Sequence, residues 1–218
     1  SEGNYMFVNL TNLNIDCNGV TGLGQYGSGL YMTASGGRNM DVTITGGSIS
    51  HNAIGENRTA TAIYGTIGAS DNLTINGTAF IGNVDAGLQD GIVYIDDAHS
   101  GTTPEFTMTN VIFEGNSNGP VIAAERGGTI TNSIFRDNTV SGNAWGTVTT
   151  TGCVFMDNTA AIPVVKNNVT YVNDEGTNTS TSATTSFNFP GIIEGECGGV
   201  CVANTIANPG ASITGCLA

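Results

Sequence analysis

Six times along this chain an apolar anchor is followed, three residues later, by asparagine: Ile15/Asn18, Ile49/Asn52, Phe80/Asn83, Phe113/Asn116, Phe135/Asn138 and Phe155/Asn158. In the first five copies a second apolar residue stands five positions before the anchor: Leu10, Ile44, Ile75, Met108 and Ile130. The asparagines follow one another at intervals of 34, 31, 33, 22 and 20 residues. A unit repeated at this period cannot bury its own apolar side and has to stack on its neighbours. That constraint governs every other feature of the chain.

Each copy divides into two pieces. The first reads Thr-apolar-Thr, as in Thr43-Ile44-Thr45, Thr74-Ile75-Asn76, Thr107-Met108-Thr109 and Thr129-Ile130-Thr131. Alternation along a strand sends the central residue inward and its neighbours outward. After a short corner the anchor enters the core, and a polar turn ends on the asparagine. A further strand is expected at Leu30-Tyr31-Met32, Ala62-Ile63-Tyr64, Ile92-Val93-Tyr94-Ile95 and Val121-Ile122-Ala123-Ala124. No helical periodicity of any length intervenes. Short strands with Gly/Asn corners in a common register predict an all-β chain whose repeats are coils of a parallel β-helix. The shortest interval, 20 residues, is a bare coil, and the longer ones carry loops such as 55–61 and 98–105. This gives a β-helix over 1–175, a Ser/Thr-rich linker over 176–190, and a cysteine-containing cap or assembly segment over 191–218.

Charge excludes several functions. Only five residues are basic (Arg38, Arg58, Arg126, Arg136 and Lys166), and the net charge is −13. Nucleic acid and anionic membranes need Lys/Arg clusters, so neither is an expected partner. No apolar run reaches the roughly 20 residues needed to span a bilayer. The chain opens at Ser1 without a charged-then-apolar leader, so any signal peptide is expected to be already removed. Sequons at Asn9, Asn57, Asn72, Asn76, Asn168 and Asn178 point to a secretory route with N-linked glycans, and the Ser/Thr-rich stretch to O-linked ones.

Three constellations bear on chemistry. Stacked asparagines can hydrogen-bond from repeat to repeat, a structural use. Outward threonines form the flat array that an ice-binding surface would need, but Asn76 interrupts it. Placing Tyr94 beside Ala123 puts Asp96 next to Glu125 and Asp97 next to Arg126, one strand spacing apart at about 4.8 Å. Two close carboxylates push their pKa values apart, as acid–base catalysis requires, although the same groups also serve as an ion pair between repeats. No metal site, cofactor motif or nucleophile triad is visible. The five cysteines are an odd number. Cys17 and Cys153 lie in the first and last repeats, roughly 24 Å apart at one strand spacing per repeat, too far to pair. That leaves Cys17 over and makes Cys153, Cys197, Cys201 and Cys216 the disulfide candidates.

The Phe-X-X-Asn anchors Phe80/Asn83, Phe113/Asn116, Phe135/Asn138 and Phe155/Asn158 resemble the polymorphic outer membrane protein repeat of chlamydial surface proteins. Gly29-Leu30, Ala62-Ile63 and Gly91-Ile92 approximate that family's second, Gly-Gly-Ala-type motif. The resemblance covers roughly residues 10 to 160 and implies a surface-exposed β-helix used in adhesion. The expectation is therefore a right-handed parallel β-helix of about six to seven coils. It would serve as an extracellular structural or adhesive glycoprotein, self-associating head-to-tail into a fibre or surface layer. The competing reading is a carbohydrate-active lyase, glycosidase or carbohydrate-binding module using Asp96, Asp97, Glu125 and Arg126.

Overall fold

The structure is a computed structural model. It describes residues 5–20, 29–33, 39–54, 60–67, 71–85, 91–97, 106–119, 121–124, 127–139, 148–156, 158, 170–172, 175–179, 192–197 and 200–205. For Val20, Ile67, Asp97, Phe155, Met156 and everything from residue 170 onward, only the backbone is described.

All regular structure among the described residues is β. The largest sheet takes one long or two short strands from each repeat. Its first row runs β1 (Tyr5–Asp16), β4 (Asn39–Ser50), β7 (Asn72–Asn76), β11 (Phe106–Thr109), β14 (Gly128–Thr131), β16 (Val148–Thr151) and β18 (Thr170–Val172). Its second row continues from β4 through β8 (Ala79–Ile81), β12 (Ile112–Glu114), β15 (Ile134–Arg136), β17 (Val154–Met156) and β19 (Glu175–Thr179). A second sheet joins β3 (Leu30–Thr33), β6 (Ile63–Ile67), β10 (Val93–Asp97) and β13 (Ile122–Ala124). A third links β2 (Gly19–Val20), β5 (Ala53–Ile54) and β9 (Val84–Asp85). Every pairing in these three sheets is parallel, with like positions of successive repeats side by side, as in Thr43↔Thr74 and Phe113↔Phe135. A separate antiparallel hairpin, β20 (Ile192–Cys197) with β21 (Val200–Thr205), lies beside β1 and β4.

Two left-handed corners recur in each repeat and explain why the strands stop where they do. The residue after Thr-X-Thr has positive φ in every case: Asn12, Gly46, Gly77, Asn110, Asn132 and Gly152. So does the residue just before the repeated asparagine: Cys17, His51, Gly82, Gly115 and Asp137. Glycine reaches this region without a Cβ penalty, and Asn and Asp tolerate it.

The core follows from the register. Ile44, Ile75, Met108 and Ile130 align and are fully buried. In the sixth repeat Thr150 takes that inward place, and it is buried too. Leu73 stands beside Phe106, and Phe106 beside Gly128. A Cβ at Gly128 would come within 2.6 Å of the Phe106 ring, so the glycine makes room for it. The anchors Phe80, Phe113 and Phe135 stack with ring centroids 4.6 and 5.1 Å apart and planes 9° from parallel.

Beside the rings runs the asparagine row. The Oδ1 atoms of Asn52, Asn83, Asn116, Asn138 and Asn158 each accept two hydrogen bonds at 2.8–3.1 Å. The donors are the backbone N–H and the side-chain amide of the asparagine one repeat earlier. The side-chain amides of Asn52, Asn83, Asn116, Asn138 and Asn158 also donate to the anchor carbonyl one repeat back: Ile15, Ile49, Phe80, Phe113 and Phe135. Five buried amides thereby satisfy a turn that would otherwise leave backbone groups unpaired.

Phe113→Ala should cost about 3–5 kcal/mol, the usual cost of emptying a packed aromatic site. Denaturant unfolding with a midpoint close to the parent's would rule out the register. Asn116→Asp carries a pH signature. An ionised carboxylate there would face the Phe80 carbonyl and Asn138 Oδ1, which raises its folded-state pKa above the ordinary ~4. The variant should therefore be closest to the parent below about pH 4 and lose stability as pH rises through the folded pKa. A pH-independent deficit would contradict the shared row. Gly115→Ala should cost about 1–2 kcal/mol from the left-handed backbone alone, because its Cβ would meet only the Gly82 nitrogen, at 4.0 Å. Gly82→Ala should cost more, since its Cβ would come within 2.8 Å of His51 Cδ2; equal losses would contradict this account.

Candidate functional site

Among the described residues the interior is taken up by buried rings, aliphatic side chains and amides. At the first repeat β1 pairs with β4 over its whole length and with no other strand among the described residues. Its Val8, Leu10 and Ile15 are only partly buried against the core. Tyr5, Met6 and Phe7 are 46, 50 and 70 % exposed, and the Tyr5 and Phe7 rings stack at 5.2 Å. Asn18 heads the asparagine row and is exposed, while the five below it are buried. It donates to Asn52, and its own Oδ1 meets no donor among the described residues.

The second sheet carries an outward column that a spacing argument passed over. Tyr31, Tyr64 and Tyr94 align, with ring centroids 5.3 and 5.5 Å apart. Comparing the second strands position by position would have found it. The Tyr64 hydroxyl donates to Asp96 Oδ2 at 2.8 Å. Burial, with the Asp96 carboxylate adding to it, holds this phenol well above the usual tyrosine range, so it stays a neutral donor. Tyr94 does stand beside Ala123, as the sequence implies. The described partner of Asp96 is Tyr64 on the preceding repeat. The side chain of Asp97, and Glu125 and Arg126 altogether, lie outside the described residues. An ion pair between repeats does occur one sheet away, where Arg136 donates to Glu114 at 2.9 Å.

A third group collects at the first corner. His51 Nδ1 lies 2.9 Å from Asp16 Oδ1, which also accepts the Ser50 hydroxyl at 2.8 Å. Cys17 brings a sulfur close to both, so that one ligand atom from each residue lies within 4.8 Å of the others. Cys17 is disulfide-bonded, however, which removes the thiolate a metal would need. This corrects the expectation that Cys17 is left over. Cys153, expected among the disulfide candidates, is buried as a thiol directed at the Ile130 and Thr151 carbonyls, at 3.6 and 3.7 Å. Distance along the stack does exclude a Cys17–Cys153 bridge. Which of the two pairs elsewhere depends on where the C-terminal segment folds, and β20 lies against the first repeats. Cys197 and Cys201 are described only as backbone of the hairpin, and Cys216 lies outside the described residues.

Among the sequons, Asn9, Asn72 and Asn76 are exposed on outward positions of β1 and β7. Asn72 donates to Asp41 at 2.9 Å. The Asn178 side chain is not described, and Asn57 and Asn168 fall outside the described residues. The outward threonines are partly tied up with one another, Thr109 and Thr131 sharing a 3.0 Å hydrogen bond. Asn9 and Asn76 stand in their rows.

Comparison with protein-family profiles, curated proteins and solved structures returns no match in any of the three.

Tyr64→Phe keeps the ring column and removes one hydrogen bond, so it should lower unfolding free energy by about 1 kcal/mol. Tyr64→Ala should cost several times that by emptying the middle of the column. Similar losses for the two would mean the rings contribute nothing.

Proposed function

We propose that this chain is an extracellular structural or adhesive glycoprotein, wound as a right-handed parallel β-helix of about six to seven coils. Its role is that of a subunit in a fibre or surface layer. The observation that carries this reading is the edge strand β1, which among the described residues pairs only with β4 and exposes Met6 and Phe7. Soluble proteins cover, charge or shorten such edges, and a long apolar one is a place for pairing. The filled core, the low charge and the exposed sequons Asn9, Asn72 and Asn76 agree with a secreted scaffold. The Phe-X-X-Asn resemblance to chlamydial surface repeats points the same way.

A second reading rests on the tyrosine column. Aromatic rings beside a carboxylate suit a sugar, and Tyr31, at the end of the column, is 46 % exposed, while Tyr64 is buried. In that reading Asp96, with Asp97, Glu125 and Arg126, lines a carbohydrate site.

Electron microscopy of the protein purified from its native source should show regular filaments or sheets. Isolated particles at every concentration would count against a structural subunit. In parallel, acidic and neutral polysaccharides incubated with the protein should yield no new reducing ends or unsaturated products. Cleavage lost on Asp96→Asn with Glu125→Gln would reverse the order of the two readings.

A further inference from the structure

The first row of strands presents two outward columns whose register does not slip from β4 to β16. One is Thr43, Thr74, Thr107, Thr129 and Thr149, and Thr170 of β18 continues it by register. The other, two residues further along each strand, is Thr45, Asn76, Thr109, Thr131 and Thr151. All ten are exposed or half-buried, and the residues between the columns are the buried Ile44, Ile75, Met108, Ile130 and Thr150. Threonine suits any strand, but the fold does not demand it. Outward positions elsewhere carry Tyr31 and Tyr94 on the second sheet and the Glu114–Arg136 pair on the second row. Neither threonine column holds a charged residue.

We propose that this face binds ice, its ligand being the ordered water at a crystal surface. This function goes beyond the structural role above and does not rest on it. Two water oxygens hydrogen-bonded to a common third, at about 2.75 Å and the tetrahedral angle, stand about 4.5 Å apart. Successive threonines of a column stand one strand spacing apart, about 4.8 Å. A single water therefore bridges each neighbouring pair of hydroxyls with near-tetrahedral geometry, and the column continues the spacing of the lattice. The five hydroxyls of the first column have no protein partner among the described residues, so they are available to that water. In the second column Thr109 and Thr131 instead share a 3.0 Å hydrogen bond with each other, which makes the first column the main contact. A β-branched side chain is stiff at χ1, and parallel neighbours on both sides hold each strand in line. Little order then has to be imposed on binding. Asn76 is the one break in the array. It accepts from Asn110 at 3.5 Å and begins a sequon, as does Asn72 on the same strand. The face works only where both are bare, because a glycan on either would hold the crystal away.

Freezing-point hysteresis tests this, together with uptake of the fluorescently labelled full chain into a growing ice hemisphere. Both are measured on the full chain made without N-glycans and on protein from its native source. The parent should hold the growth temperature of a small ice crystal below its melting temperature and shape the crystal into facets. Thr107 is exposed, so Thr107→Tyr leaves the fold intact while setting a ring across the first column; it should lose most of the hysteresis. Asn76→Thr fills the break and should gain hysteresis. Ala53→Tyr, at an exposed position on the third sheet, should leave it unchanged. Circular dichroism melts check that each variant is folded. An unglycosylated parent that shows no hysteresis and is excluded from the ice would overturn the proposal. Hysteresis that survives Thr107→Tyr, or that falls equally with Ala53→Tyr, would overturn this face as the site. Activity in the bare chain that is absent from the native protein, with a glycan mapped to Asn72 or Asn76, would overturn ice binding as a function.

Discussion

The rest of this fold depends on a side-chain amide with all its hydrogen bonds made. An asparagine at each turn takes two hydrogen bonds from the repeat before it and gives hydrogen bonds to the repeat before and the repeat after. The turn exposes backbone groups toward its neighbours on both sides, and burying them unpaired would cost about 1–3 kcal/mol each. Aspartate could not donate, and a hydroxyl has a single hydrogen to give. Asparagine alone among short side chains supplies acceptor and donors in one plane, which is why it recurs while the anchor beside it varies between Ile and Phe.

Because the row is made locally, repeats of unequal length still stack. Intervals of 34, 31, 33, 22 and 20 residues all bring the next asparagine to the same place. The extra residues of the longer repeats do not disturb the register, since two left-handed corners and one anchor set it. Size is balanced across repeats rather than within them, as when Gly128 gives up its side chain to the Phe106 ring. A substitution in one repeat is therefore felt first in its two neighbours.

Among the described residues the interior is built of rings and amides, and the surface carries the tyrosine column's exposed Tyr31 and the sequons Asn9, Asn72 and Asn76. The asparagine-to-asparagine hydrogen bonds all run from one repeat to the next, which gives the row a direction.

How much of this was legible in the chain follows from the range of each interaction. Spacing alone identified the all-β class, the parallel register, the buried anchors Phe80, Phe113 and Phe135 and the buried row from Asn52 to Asn158, because each repeats a local pattern many times. It also placed Tyr94 beside Ala123. It did not identify the tyrosine column as a feature, since the eye for apolar periodicity counts Tyr31, Tyr64 and Tyr94 as ordinary strand residues. The cysteines were beyond it. Spacing could exclude a Cys17–Cys153 bridge, but Cys17 became bonded and Cys153 a core thiol through the path of the C-terminal segment, which no local rule encodes. What the tertiary structure alone decided is where the C-terminal hairpin lies, beside β1 and β4. An interaction made once, between residues far apart, leaves no periodic trace in the sequence.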